Sequence, residues 1–169
     1  MPHASAPPDD PTPFNTDAVR EVIRAAASVP GAMLPVLHAV QGHLGHIPSE
    51  VVPLVAQALN VSRAEVQGVL DFYHDFRRAP PGRHLVWICR AESCQAMGAE
   101  AIETHARNHL GLAYHETTAD GALTLEPVYC LGNCACSPAV RVDGEIHGRM
   151  DPIRFEKLVE ELRAETVTA

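Results

Sequence analysis

This chain of 169 residues is almost without lysine: Lys157 stands alone, and the remaining twelve of its thirteen basic residues are arginine. Twenty-one acidic residues outnumber them, for a formal net charge of −8. Arg77-Arg78 is the one adjacent basic pair, so the basic face that nucleic-acid binding uses is absent. No apolar run is long enough to cross a membrane. The start, M-P-H-A-S-A-P-P-D-D-P-T-P-F, has neither the basic n-region nor the apolar h-region of a secretory signal. A cytoplasmic location is the default expectation, and there cysteines stay reduced. The chain has no G-x-G-x-x-G and no recognisable flavin site, so neither a dinucleotide nor a flavin is expected to bind here. It has no C-x-x-C either, which leaves disulfide exchange without a visible site. No catalytic residue is assigned.

What is present is enough for a core, since 46% of the residues are hydrophobic. The length suits one compact domain, or a small domain with a helical appendage. Residues 1–15 hold five prolines and read as a disordered tail. Helices are expected over 17–28, capped by Asn15 or Thr16, and from Met33 to Val40. A third runs over 49–59, and a fourth over 62–72 behind the capping box Ser62-Arg63-Ala64-Glu65. Together they make a small helical bundle over residues 16–79, expected to serve as a docking domain for a partner. Ala79-Pro80-Pro81-Gly82 marks a boundary. Beyond it the pattern changes to a strand over 84–88 and a helix over 94–110. Strands over 112–118 and 122–127 follow, around Asp120-Gly121. Strands over 139–142 and 145–147 flank Asp143-Gly144, and a last helix covers 151–163. That order makes residues 80–169 a small α/β domain of thioredoxin type.

Four cysteines carry the chemistry. Cys89 and Cys94 have four residues between them, Cys130 and Cys134 have three, and thirty-five separate the pairs. Zinc ribbons favour two residues between paired cysteines. A 2Fe-2S cluster needs two thiolates on each of two irons and tolerates wider spacings. The spacing favours iron and sulfur, with zinc as the alternative. A pair of disulfides would need an oxidising compartment that nothing else here suggests. Both pairs lie where strands run out into loops, and Gly132 gives the second loop its conformational freedom. An oxidised cluster with four thiolates carries a charge of about −2. A helix N-terminus near Cys94 is expected to offset it, and Arg90 reads equally as an added cation or as an exposed surface side chain. In an acidic chain the potential is expected on the order of −400 mV or somewhat higher. Cys136, in C-A-C-S-P, reads as a small buried residue, with an alternative ligand or a redox thiol as the other roles. Of ten histidines, His43 and His46 fall three apart and His105 and His109 four apart. Either pair could share a helix face and bind a metal; with no third ligand in a recognisable motif, solvated or locally hydrogen-bonded side chains are the favoured reading.

C-x4-C followed by C-L-G-x-C, ahead of A-V-x-V-D-G, resembles the thioredoxin-like 2Fe-2S subunit of NADH-linked flavoprotein modules. That family includes a small subunit of respiratory complex I, the diaphorase part of NAD-reducing hydrogenases and the gamma subunit of NAD-dependent formate dehydrogenases. The resemblance extends to L-P-V-L-H-A-V-Q at residues 34–41 and G-H-I-P at 45–48. It also takes in S-R-A-E-V at 62–66 and D-F-Y-H-D-F at 71–76, so it covers about residues 17–163. It implies that Cys89 and Cys94 hold one iron and Cys130 and Cys134 the other. Cys136 makes the likeness to formate dehydrogenase gamma subunits greater than to complex I subunits. His74 is a departure, standing where many members have a small or hydroxyl residue.

The expected function is therefore a one-electron carrier subunit, most of all the gamma subunit of an NAD-dependent formate dehydrogenase. The alternative is the small subunit of NADH:quinone oxidoreductase or of an NAD-reducing hydrogenase. The resemblance implies a larger partner, an iron–sulfur subunit that binds FMN and NAD, within a bigger oxidoreductase complex. NAD chemistry moves electrons in pairs, so a flavin must stand between it and a one-electron carrier. A free-standing ferredoxin would not need the helical first half. A zinc-stabilised adaptor without a redox role would be colourless.

Overall fold

The computed structural model describes residues 14–165. The tail expected over residues 1–15 therefore falls outside it, except for Phe14 and Asn15. The chain divides at Pro80–Pro81 into two compact units.

The first unit is helical. Asn15 caps α1 (Thr16–Ala26) by accepting hydrogen bonds from the amides of Asp17 and Ala18 at 3.0 and 3.2 Å. α2 (Met33–Leu44) runs a turn beyond its expected end and stops at Gly45, which has φ 80°. The third helix starts later than expected. Ser49–Val51 is a tight 3-10 turn, and α3 (Val52–Leu59) follows, with a proline in its first turn. α4 (Arg63–Phe72) begins with the full capping box, Ser62 and Glu65 exchanging side-chain and backbone hydrogen bonds. Val19, Ile23, Val36, Leu37, Val40, Ile47, Val55 and Val66 form a core that water does not reach. Each such side chain contributes about 1.5–3 kcal/mol by leaving water. Gln41, nearly buried, ties the segment after α4 to α2. Its amide donates to the Asp75 carbonyl at 2.8 Å, and its oxygen accepts from the Arg77 amide at 2.7 Å.

The second unit is a five-stranded sheet in the order β2-β3-β1-β4-β5. β1 (His84–Cys89) is central. It pairs in parallel with β3 (Leu123–Val128) and antiparallel with β4 (Ala139–Val142). β5 (Glu145–Gly148) pairs with β4 across the expected Asp143-Gly144 turn. Side chains alternate across the sheet. Val86, Ile88, Leu123, Leu125, Val140 and Val142 share one buried face with Ile102 and Ala106 of α6 (Ala99–Leu110) and with Phe155 and Val159 of α7 (Pro152–Glu165). On the other face Trp87 neighbours Glu126 and Arg141, and the Arg141 guanidinium lies 3.5 Å from the Trp87 ring centroid.

In the second unit, one helix and one strand depart from expectation. The helix expected over 94–110 is broken in two: α5 (Glu92–Ala96) ends, and Gly98, at φ 93°, starts α6. The strand expected over 112–118 shrinks to β2 (Glu116–Thr117), because His115 at φ 68° turns the chain just before it. Among the described residues, no helix is long and apolar enough to cross a membrane.

Candidate metal centre

Topology brings the two cysteine pairs together. β1 and β3 are parallel neighbours, and their register sets Cys89 beside Val128. Both strands therefore release their loops at the same end of the sheet, the carboxyl end, where open α/β sheets place their sites. The loop after β1 reaches Cys94 in α5. The loop after β3 passes Cys130 and enters a 3-10 turn, Cys134–Cys136.

The two pairs differ in burial. Cys89 and Cys94 are 2% and 3% exposed, set in a small apolar cluster with Ala99, Ala139 and flanking Leu131 and Val128. Cys130 and Cys134 are exposed, and no cysteine is in a disulfide. Burial pushes the Cys89 thiol up. The nearby Cys94 adds to the rise, while the amides of Ala91 and Leu131 oppose it by hydrogen-bonding to the sulfur. A sulfur buried this deeply is stable as an anion only beside a cation, and two amide donors already face it. Leu131 belongs to the second loop, so one loop's backbone attends the other loop's cysteine. The Gly132 amide donates to Cys130 Sγ at 3.3 Å.

Ser93 and Ser137 join the loops further, though neither stood out in the sequence. Their hydroxyls are 2.9 Å apart. The Ser137 hydroxyl donates to the Cys134 carbonyl at 3.0 Å and lies 3.5 Å from Cys94 Sγ. Four free thiols in two pairs, with backbone amides aimed at the sulfurs of Cys89 and Cys130, make a donor set that fits a 2Fe-2S cluster.

Three expectations change. Arg90 is no free cation: its Nε lies 2.9 Å from Glu103 Oε2, and its guanidinium lies 5.6 Å from the Tyr114 ring centroid. The helix at Cys94 is only five residues long, too short for a sizeable dipole, and Cys94 lies within it rather than at its start. Cys136 is half-buried and packs where β5 ends: a Cβ on Gly148 would fall 2.7 Å from its own Cβ. His43 and His46 do not share a helix face, since α2 ends between them; His43 is exposed and His46 is buried. His105 and His109 do share one and meet Glu156 of α7.

The chain is similar to several known proteins. An NADH-quinone oxidoreductase subunit of Rhizobium meliloti is 40% identical over 153 residues, covering 88% of this chain and 91% of that protein. Its counterpart in the NADH-quinone oxidoreductase of Mycobacterium tuberculosis is 36% identical over 165 residues, covering 98% of this chain but 65% of that protein. The NADP-reducing hydrogenase subunit HndA of Solidesulfovibrio fructosivorans is 31% identical over 145 residues, covering 84% of this chain and 85% of that protein. In fold, an NAD+-reducing NiFe-hydrogenase superposes with a TM-score of 0.65 at 23% identity. That match takes in 79% of this chain but only 23% of the hydrogenase chain. The pattern that defines the thioredoxin-like 2Fe-2S ferredoxins matches residues 19–163, so the chain belongs to that family, which implies a 2Fe-2S cluster.

Proposed function

We propose that this chain is the electron-carrying small subunit of an NADH-oxidising complex of the NADH-quinone oxidoreductase kind, with Cys89, Cys94, Cys130 and Cys134 as the iron ligands. The observation that carries the reading is the shared end of β1 and β3, where the Leu131 amide meets the Cys89 sulfur. A bound 2Fe-2S cluster supplies one-electron chemistry. The chain's own residues supply the setting. Cys89 and Cys94, walled by Ala99 and Ala139, keep water from one side. Cys130 and Cys134 open the other side to a partner, beside an exposed Tyr129. The amides of Ala91, Leu131 and Gly132 stabilise negative charge on sulfur.

The relatives named above are subunits of NADH-quinone oxidoreductases and of an NADP-reducing hydrogenase. They support this reading over the formate dehydrogenase gamma subunit that Cys136 suggested. The partner is an iron–sulfur subunit that binds FMN and NAD, and this chain has no catalytic centre of its own. The test is reduction by NADH. The chain alone, mixed with NADH and an artificial acceptor, should give no turnover. With the flavin-bearing partner, NADH should bleach the visible absorbance and produce a low-temperature paramagnetic signal. Turnover by the lone chain refutes the reading. So does absorbance that neither NADH with the partner nor a stronger reductant changes.

A further inference from the structure

We infer that His105, His109 and Glu156 form a second metal site, which takes a divalent first-row ion, Zn2+ before others, across the seam between α6 and α7. α6 sets the two imidazoles one turn apart, with ring centroids 5.7 Å apart and planes within 14° of parallel. α7 brings up one carboxylate with an oxygen for each ring. Glu156 Oε2 lies 3.8 Å from His105 Nε2, and Oε1 lies 3.9 Å from His109 Nδ1. A ligand atom from each of the three residues lies within 4.8 Å of the other two. These separations are too long for hydrogen bonds. Moreover, His105 Nε2 is closed to water and has no hydrogen-bond partner. A buried ring nitrogen left so costs stability unless something binds it.

An ion fits the gap. Tetrahedral zinc with bonds of about 2.0–2.1 Å spaces its ligand atoms about 3.4 Å apart. Measured to a separate oxygen for each ring, the His–Glu distances need to close by about half an ångström, and the separations among single donor atoms, 4.8 Å at most, by up to about 1.4 Å, through side-chain rotation. Two imidazoles and a carboxylate are a zinc donor set that leaves the fourth position to water. Hard ions such as Mg2+ and Ca2+ prefer all-oxygen sites. The residue after His105 is Ala106, buried in the core, and not the glutamate that a hydrolytic H-E-x-x-H site uses as its base. The bound ion would therefore cross-link the last helix to α6 rather than activate water for hydrolysis. The site uses no cysteine and does not depend on the function proposed above.

The test uses the full chain purified with its iron, dialysed against micromolar free Zn2+. One zinc per chain should bind with iron content unchanged. Zinc-edge X-ray absorption should show a first shell of nitrogen and oxygen only, with imidazole scattering. Zinc should also raise the unfolding midpoint. Glu156 and His109 are partly exposed, so Glu156→Gln and His109→Gln are substitutions the fold tolerates, as unchanged iron content and circular dichroism will show. Each should weaken zinc binding by more than about tenfold, since losing even a group behind a metal ligand costs about 10–100-fold. The double variant should abolish the zinc-linked rise. The assignment is overturned by sulfur in the first shell, by zinc uptake indifferent to these substitutions, or by no uptake at all.

Discussion

Gly148→Ala is a sharp test of how the second cysteine loop is held. Gly148 ends β5 opposite Ala139. A Cβ there would lie 2.7 Å from Cys136 Cβ, 2.8 Å from the Cys136 carbonyl oxygen and 2.8 Å from Asn133 Nδ2. Carbon atoms in comfortable contact sit about 3.5–4.0 Å apart, so something must move by roughly 0.8 Å. The amide of Asn133 can swing away, but the Cys136 atoms belong to the turn that carries Cys134. That turn is fixed by the Arg149 amide on the Cys136 carbonyl at 2.6 Å and by the Met150 amide on the Pro138 carbonyl at 2.9 Å. Overpacking of this kind costs about 1–3 kcal/mol, and the smaller unfolded-state entropy of alanine returns about 0.4–1 of that. A net loss of about 1–2 kcal/mol lowers the midpoint of a unit this size by roughly 5–15 °C. The assay is thermal unfolding together with decay of the visible absorbance under a chelator, which should quicken as the Cys134 turn shifts. Gly42→Ala is the control. Gly42 lies inside α2 with nothing near its would-be Cβ, so alanine there should stabilise by about 0.5–1 kcal/mol. A Gly148→Ala chain that melts no lower and keeps its iron as long as the parent refutes the packing argument.

Three further outcomes are expected. Alanine at Cys89, Cys94, Cys130 or Cys134 should each lose the iron or leave it unstable, while Cys136→Ala retains it, as iron and sulfide analysis will show; a colourless Cys136→Ala beside a brown Cys134→Ala reverses the assignment. A chain starting at Pro80 should still hold iron but bind the flavoprotein partner more weakly, because we assign the helical unit to docking; equal affinity in a pull-down or titration would end that idea. His115 Nδ1 lies 2.6 Å from Glu126 Oε2, and that hydrogen bond raises the imidazole's pKa despite partial burial. The pair's contribution to stability is therefore whole below the unfolded value near 6.5 and fades as pH rises through the higher folded value; NMR titration of Glu126→Gln should find the His115 value lower.

Much of this was legible because local chemistry and tertiary structure agree. The S-R-A-E box starts α4, Asp143-Gly144 turns β4 into β5, and Pro80-Pro81 falls at the division between units. What was hidden depends on atoms far apart in the chain. A glycine in an alanine-rich run does not announce its φ, so the break at Gly98 was invisible. The β2 segment has strand-like residues, but His115 in a left-handed conformation leaves only two of them to pair. Arg90 looked like a free cation until the fold set Glu103 beside it. The four cysteines proposed as ligands stand out in the sequence by their spacing. The groups that steady them did not: the Leu131 amide, the Ser93–Ser137 pair and the bare face of Gly148 follow no periodicity. Glu156 is separated from His109 by the strands β2 to β5 and their loops, so no spacing rule joins them.

The placement of Trp87 gives the molecule an optical property. It is the only tryptophan, and it lies two residues before Cys89 on the same side of β1, about 7 Å along the strand. Its ring is fixed in place under the Arg141 guanidinium. An indole so near a strong visible absorber passes its excitation on before it can emit. The chain should fluoresce dimly while the cysteine loops are loaded and brighten as they empty, so that loading can be followed in a cuvette, without a label, from a single native side chain.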